Sequence, residues 1–164
     1  MRHASGVPVP GRSRVEAWEL DAREQIRDLV AAYNAHGDRG RFDELLALFA
    51  DDASMDIGDG VTYEGVDAIR SIFTDTRNSV VDADGPKFLQ HHTSGLLLAV
   101  TDREHATGYA YFTVMTDRGI DHWGRYQDAY WLVDDAWRFA SRRVRTDGRT
   151  PGGWADQRVG GGGT

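Results

Sequence analysis

Residues 105–133 read HATGYAYFTVMTDRGIDHWGRYQDAYWLV, and this stretch decides the fold class. It contains two long runs rich in aromatic and β-branched residues, 105–116 and 120–133, with the turn sequence Thr116-Asp117-Arg118-Gly119 between them. Two such runs on either side of a short turn predict neighbouring antiparallel strands. Both runs exceed the usual strand length of about five to six residues, which indicates a large sheet.

The sheet extends in both directions from this pair. Residues 88–100 form another apolar run that ends at Thr101-Asp102, and residues 136–145 follow the turn Asp134-Asp135. Upstream, residues 53–57 and 61–63 flank Asp59-Gly60, a dipeptide typical of hairpin turns. The sequence therefore predicts a meander of four long strands preceded by a short hairpin.

Helical periodicity is confined to the first half of the chain. Residues 15–36 carry one apolar stripe, and residues 42–49 and 65–78 predict two shorter helices. Helices that precede a run of antiparallel strands indicate an α+β domain with the helices on one face of the sheet. A curved sheet around helices leaves a concave place for a ligand, and the many aromatic and aliphatic side chains of this sheet favour an apolar one.

We predict three segments along the chain. Residues 1–14 are a disordered tail, 15–146 the folded domain, and 147–164 a flexible tail rich in glycine. Trp154 is the exception in the second tail, and the sequence leaves open whether it docks on the domain, on a neighbouring subunit, or not at all.

Composition excludes several classes of function. The net charge of −7 argues against nucleic acid and against an anionic membrane surface, since both need a basic face. The absence of cysteine rules out disulfides and thiolate chemistry. There is no apolar run of about 20 residues, so we expect no membrane span. Residues 1–14 contain no apolar core, so we expect no secretory signal and a cytoplasmic location.

Several local patterns resemble the SnoaL-like branch of the nuclear transport factor 2-like superfamily over about residues 15–145. They are listed here in chain order: Tyr33, Asp38, Phe42-Asp43-Glu44-Leu45, Phe49-Ala50-Asp51-Asp52-Ala53, Gln90-His91 before Gly95-Leu96-Leu97-Leu98, Ala106-Thr107-Gly108-Tyr109, and Gly124-Arg125-Tyr126 before Asp135-Ala136-Trp137-Arg138-Phe139. Within that branch the pattern is most similar to the scytalone dehydratases, the bile-acid dehydratases and the hexachlorocyclohexane dehydrochlorinases.

The resemblance implies a cone-shaped, strongly curved antiparallel sheet wrapped around three N-terminal helices, as in a cystatin-like roll. Those enzymes place a histidine–aspartate pair in the cup, and the matching residues here are His91 and Asp38. Tyr33 matches the tyrosine that lies five residues before the aspartate in the bile-acid dehydratases. The resemblance also implies a homo-oligomer, a trimer with a dimer as the alternative, and no cofactor.

One departure concerns the second acid of the dehydratases, which lies on the strand after the Ala-Thr-Gly element. The corresponding face of this chain carries no acid or base and reads Ala110, Phe112, Val114 and Thr116. His105 and His122 stand beside acidic neighbours, and we expect them at the surface. The sequence also predicts no metal site, because the adjacent His91 and His92 cannot both reach one ion from a strand.

The chemistry of these residues suits proton transfer. Histidine is the natural general base near neutral pH, and a carboxylate on its other ring nitrogen fixes the tautomer. His91 could then remove a proton next to a carbonyl or a leaving group, while the hydroxyl of Tyr33 or Tyr126 donates a hydrogen bond to the developing oxyanion.

The residues alone leave alternatives open. Asp38 lies in the turn sequence Gly-Asp-Arg-Gly and could simply cap the second helix. Strand alternation does not say whether His91 or His92 faces the cup, and both Tyr33 and Tyr126 could be core residues.

We predict a cofactor-independent lyase or isomerase, dehydratase-like, that acts on an apolar polycyclic or polyketide/terpenoid-like molecule. The predicted substrate-binding side chains are Tyr126, Ile57, Phe112, Val114, Thr116 and Trp123. The alternatives are a cyclase of secondary metabolism in the same cup, and a non-catalytic domain for small-molecule binding or assembly.

Overall fold

The computed structural model describes residues 15–80 and 85–160, and the predicted tail at residues 1–14 lies outside these ranges. The elements in chain order are α1 (Ala17–Gly37), α2 (Phe42–Leu46), β1 (Phe49–Asp56), β2 (Thr62–Glu64), α3 (Val66–Val80), β3 (Gln90–Val100), β4 (His105–Thr116), β5 (Gly119–Val133), β6 (Ala136–Arg149) and α4 (Trp154–Gly160). In the part of the chain so described, none of the helices combines the length and apolar character that crossing a bilayer would need.

Helix α1 forms because its apolar residues recur every three to four positions. Ile26, Leu29, Val30 and Tyr33 are all buried, with at most 7% of their surface exposed. The helix ends at Gly37, and the chain turns at Gly40 with a φ of +67°, a left-handed conformation that glycine adopts without strain. The buried stripe packs the helix onto β3 and β6.

Helix α2 is shorter than predicted. The periodicity extends the helix to Phe49, but α2 ends at Leu46 and Phe49 begins strand β1, four residues before the predicted strand. The reason is a long-range contact, since β1 pairs in parallel with β6 and places Phe49 opposite Phe139. Their rings lie 5.1 Å apart between centroids. Local periodicity carries no information about this pairing.

The six strands form one curled, unclosed sheet in the order β2-β1-β6-β5-β4-β3. All neighbouring pairs are antiparallel except β1 with β6. Register shifts interrupt most of the pairings, and in β3 the shift falls at Gly95, whose φ is +63°. Such bulges bend a strand and increase its twist, so they account for the curl of the sheet around the helices. The predicted α+β architecture is confirmed.

The core fills the space between the helices and the inner face of the sheet, which we define as the face that carries Phe112, Tyr130 and Phe139. These three side chains are at most 3% exposed. The opposite, outer face carries exposed apolar residues such as Leu97 and Tyr111.

Residues 147–160 are more ordered than the predicted flexible tail, and residues 161–164 lie outside the described ranges. Strand β6 continues to Arg149 because Gly148 and Arg149 pair with Trp123 and His122 of β5. A turn then leads into helix α4, which packs on β5. Glycine-rich composition gave the wrong expectation here, since the extra strand length depends on a partner far away in sequence.

Candidate active site

The pairing of β3 with β4 decides which histidine faces the helices. His91 lies opposite Val114, which is completely buried on the inner face, whereas His92 lies opposite Thr113 and is exposed. Successive side chains of a strand point to opposite faces, so the register settles the alternative that alternation left open. His91 points into the cup, and His92 points away from it.

Asp38 follows the last turn of α1 and faces His91. Its backbone N–H donates to the carbonyl oxygen of Asn34 at 2.9 Å, which fixes the residue to the helix end. Its carboxylate lies 2.6 Å from Nδ1 of His91 and accepts the backbone N–H of the same residue at 3.1 Å. Asp38 is therefore a partner of His91 rather than a cap of α2, and it holds both the ring and the backbone of the histidine.

This geometry defines the proton positions of the histidine pair. A carboxylate that accepts from Nδ1 favours the tautomer with hydrogen on Nδ1, which leaves the lone pair on Nε2. The side chains of His91 and Asp38 are 28% and 20% exposed. The pair is thus partly sheltered and still open to a small molecule, as a general base must be.

Tyr33 and Tyr126 meet below the histidine pair, with ring centroids 6.4 Å apart. The guanidinium of Arg142 lies over both rings, at 4.0 and 4.1 Å from their centroids. Burial raises the pKa of both tyrosines, against the opposing charge of Arg142. The two hydroxyls therefore stay protonated around neutral pH, so they can donate hydrogen bonds but cannot act as bases.

Arg142 is itself held by Asp128 inside the domain. Two hydrogen bonds, from Nε at 2.9 Å and from Nη2 at 2.8 Å, join the guanidinium to the carboxylate. The side chains of this pair are 0% and 1% exposed. Tyr130 donates its hydroxyl to the same carboxylate at 2.9 Å.

The predicted substrate-binding side chains divide into two groups. Phe112, Val114, Tyr126 and Thr116 lie on the inner face, with at most 7% of their surface exposed. Phe112 stacks on Tyr126 at 4.7 Å between ring centroids. At this depth the cup is filled by its own side chains, so these residues form its floor, and access is at the level of His91.

Trp123 belongs to the outer face, which corrects its predicted place in the cup. It lies opposite Thr113 and is 41% exposed. The prediction failed because Trp123 stands one position from an inward residue, and one position on a strand reverses the face. Ile57 lies just after β1, is half-buried and packs against the main core, so it does not reach the floor defined by Phe112 and Tyr126.

The structure also contains a cavity of about 540 Å³, but on the outer face of the sheet. Side chains of Leu97, Tyr109 and Arg143 contribute to its wall. The ligand cavity was predicted between sheet and helices, so this second concave place is a finding that the sequence did not anticipate.

His122 is a functional candidate that sequence reasoning placed at the surface. It lies in β5 opposite Val114, the same residue that faces His91 from the other side. The two histidines are therefore two strands apart, roughly 10 Å across the sheet. The rings of His122 and Phe112 pack edge to face with 5.9 Å between their centroids, and Nδ1 of His122 lies 2.8 Å from the carboxylate of Asp121.

Burial of His122 lowers its pKa, and its hydrogen bond to Asp121 opposes that effect. A second histidine–carboxylate pair thus faces the cup from β5, whereas the face of β4 that carries Ala110, Phe112, Val114 and Thr116 has no acid or base. The adjacent Asp121-His122 in the sequence was the available signal, but nothing local distinguishes it from the exposed His105 with Asp102.

The fold has counterparts among known proteins. The profile of the SnoaL-like domain matches residues 18–143. Comparison with curated proteins gave no significant match.

Solved structures with the same fold include enzymes. A protein named as a candidate scytalone dehydratase, from Novosphingobium aromaticivorans, has 22% sequence identity and a TM-score of 0.71, covering 81% of this chain and 89% of that one. A function-unknown protein from Mycobacterium tuberculosis has 27% identity and a TM-score of 0.68, covering 78% and 77%. A hexachlorocyclohexane dehydrochlorinase from Novosphingobium barchaimii has 18% identity and a TM-score of 0.69, covering 81% and 91%.

Proposed function

We propose that this chain, which belongs to the SnoaL-like domain family, is a cofactor-independent lyase or isomerase in which His91 removes a proton from an apolar small molecule. The observation that carries the proposal is the 2.6 Å contact between Nδ1 of His91 and the Asp38 carboxylate. That contact leaves Nε2 free to accept a proton, and the partial exposure of the ring lets a substrate reach it.

The first step is proton abstraction next to a carbonyl group. The C–H bond breaks, its proton goes to Nε2 of His91, and the electron pair moves into an enolate. The imidazolium formed in this step is stabilised by the Asp38 carboxylate. Tyr33 and Tyr126, whose hydroxyls stay protonated, would donate hydrogen bonds to the enolate oxygen. No redox change occurs, so the step needs no electron carrier.

Dehydration also requires a proton for the departing hydroxide, and His122 can supply it. Protonated on both ring nitrogens, His122 would give the Nε2 proton to the leaving oxygen as the C–O bond breaks and a C=C bond forms. Burial lowers the pKa of His122, which makes the protonated form a stronger acid but leaves His122 mostly neutral near pH 7, so this step belongs to the minor protonated form. Water leaves, and the proton on His91 passes through solvent to Nε2 of His122, which restores both histidines to their starting states. This second histidine favours dehydration over the alternative, cyclisation of a polyketide- or terpenoid-like molecule in the same cup.

The substrate class follows from the walls. Phe112, Val114 and Tyr126 form the closed apolar floor below the histidines, and an apolar skeleton is the kind of molecule that such surroundings favour. The polar groups near this floor include the two histidine–carboxylate pairs and the hydroxyl groups of Tyr33 and Tyr126.

The test uses 1-tetralone, a bicyclic ketone, in D₂O. We expect deuterium to enter at C2 when protein is added, followed by NMR, and 3-hydroxy-1-tetralone to lose water. His91→Ala should slow both reactions by about 10²–10⁴-fold. The matched control is His92→Ala, which removes an adjacent histidine from the outer face of the same strand. A full rate in His91→Ala, or an equal loss in both variants, would contradict the proposal.

A second candidate function, binding or assembly through the sheet, is favoured by the outer face. This face carries the 540 Å³ cavity and exposed apolar residues, among them Leu97 at 71%, Tyr111 at 54% and Trp131 at 41% exposure. Exposed apolar surfaces of this kind mark interaction sites. We propose that copies of the chain associate through it as a homotrimer, with a dimer as the alternative. Light scattering should show the oligomer in the wild type and a smaller species in Leu97→Lys.

A further inference from the structure

The carboxylate of Asp121 anchors the C-terminal helix to the sheet. It accepts the backbone N–H groups of Trp154 at 2.6 Å and Ala155 at 3.2 Å, the first two residues of α4. The approach to the helix is fixed as well, because Thr150 donates its backbone N–H to the carbonyl oxygen of Asp121 at 2.7 Å. Asp121 is only 3% exposed, so these hydrogen bonds are shielded from water.

The same carboxylate holds the second histidine of the cup. Its Oδ2 atom lies 2.8 Å from Nδ1 of His122. The indole ring of Trp154 lies beside the imidazole ring of His122, with 6.1 Å between the ring centroids. The side chain of His122 is 14% exposed. The histidine is therefore enclosed between the floor of the cup and helix α4.

The approach of the terminal segment to Asp121 leaves no room for a side chain. A Cβ atom added to Gly153 would lie 2.8 Å from Oδ1 of Asp121. Real Cβ atoms essentially never come so close to a neighbour, so a larger residue must displace either the carboxylate or the helix. Gly153 thus offers a way to disturb the docking without changing Asp121 or His122.

We propose that Asp121 is a positioning residue that couples docking of helix α4 on the sheet to the orientation of His122. With the helix docked, one carboxylate binds the helix start and holds the proton of His122 on Nδ1, which leaves Nε2 for the cup. When the helix undocks, Trp154 moves away from the imidazole ring of His122 and water reaches that ring. The hydrogen bonds of Asp121 to the helix start and to His122 then weaken together. The role of His122 in turnover rests on the proposed function, but the coupling between helix and histidine does not.

The electrostatic surroundings of His122 come from several elements. Phe112 and Val114 of β4 contribute no charge. The titratable and charged groups around the histidine are Asp121 on its own strand, His91 on β3 with its partner Asp38, Arg149 on β6, and Asp156 and Arg158 on α4. Burial is the largest influence and lowers the pKa of His122. Undocking removes part of that burial, so the pKa should rise.

The experiment compares the full-length wild type with Gly153→Val and Asp121→Asn by NMR. Long-range ¹H–¹⁵N spectra report the tautomer and pKa of His122, assigned from the signal lost in His122→Gln. Hydrogen exchange of the Trp154 and Ala155 amides reports docking of α4. We expect faster exchange of both amides, a higher His122 pKa and loss of the single tautomer in Gly153→Val. Asp121→Asn should also speed the exchange and disturb the tautomer.

His105→Ala is the matched control, since it removes an exposed histidine that also contacts a carboxylate, Asp102 at 2.9 Å. It should change neither readout. An unchanged His122 titration and tautomer despite faster amide exchange would overturn the coupling, and so would unchanged exchange in both variants. Neither readout depends on turnover, so a failed tetralone assay with a positive NMR result would reject the proposed function and leave the coupling intact.

Discussion

Replacement of Asp128 by asparagine tests how the domain tolerates a buried charge beneath its candidate site. Arg142 is enclosed by the rings of Tyr33, Tyr126 and Phe139, with the guanidinium 4.0–4.4 Å from their centroids. Its counterion is the Asp128 carboxylate. Asp128→Asn keeps the shape of the side chain and removes the negative charge, so Arg142 remains charged in a place that water does not reach.

The magnitude follows from the burial. Removing one partner of a fully buried ion pair costs about 3–5 kcal/mol, because the other charge is left uncompensated. For a domain of this size each kcal/mol lowers the melting temperature by about 2–4 °C. We therefore expect Asp128→Asn to melt about 6–20 °C below the wild type. The double variant with Arg142→Met leaves no charge at this buried position and should be more stable than Asp128→Asn alone, despite carrying one more substitution.

Urea unfolding and thermal melting of the four proteins of this cycle measure the effect. The control is Asp43→Asn, which breaks the exposed ion pair with Arg70, whose atoms lie 2.7 Å apart with side chains 46% and 85% exposed. That change should cost at most about 1 kcal/mol. The reasoning is refuted if Asp128→Asn costs no more than the control, or if the double variant is less stable than Asp128→Asn.

Three further predictions concern other parts of the domain. Asp38→Asn should lower the tetralone exchange rate by about 10²–10⁴-fold while the fold persists, because the amide cannot stabilise an imidazolium; a rate near that of the wild type would contradict the assigned partnership. Gly124→Ala should cost about 3 kcal/mol or more in urea unfolding, since the new Cβ would lie 2.0 Å from the Arg145 carbonyl oxygen; a cost below about 1 kcal/mol would show that the strand yields easily. The hydrogen bonds from Arg145, aided by the Gly58 backbone, lower the pKa of Asp56 to about 2 from 3.8. A depressed carboxyl pKa stabilises the fold fully above the unfolded value and loses that effect as pH falls towards 2. In Arg145→Met the urea midpoint should fall less steeply with decreasing pH over this window than in the wild type. An equally steep fall would argue against the ion pair of Arg145 with Asp56.

Much of the fold could be predicted from the sequence because its signals are local. The apolar stripe of α1, the turn at Thr116-Asp117-Arg118-Gly119 and the length of the central strands each depend on residues close together in the chain. The structure contains these elements within a few residues of the predicted bounds. The errors lie where a distant partner decides, as at Phe49, which leaves the helix to pair with β6, and at residues 147–149, which extend β6 along β5.

The site divides along the same line. The resemblance to the SnoaL-like enzymes selected Asp38 and His91 as a candidate pair, whereas the residues alone left open whether Asp38 caps α2 and whether His91 faces the cup. Which of two adjacent histidines faces inward depended on the register of β3 against β4, and register is set by pairing across the sheet. The same dependence explains why Trp123 was assigned to the wrong face and His122 was assigned to the surface.

The sequence by itself determined the α+β class, the order of the elements and the chemical types available for proton transfer, because helical and strand periodicity and turn residues act over a few positions. Only the tertiary structure decided which side chains meet: the 2.6 Å contact of His91 with Asp38, the enclosure of Arg142 by Asp128 and three rings, and the return of α4 to Asp121. The His91–Asp38, Arg142–Asp128 and Trp154–Asp121 hydrogen bonds join residues 53, 14 and 33 positions apart. Their formation depends on the curl and register of the whole sheet, which no local stretch of the chain specifies.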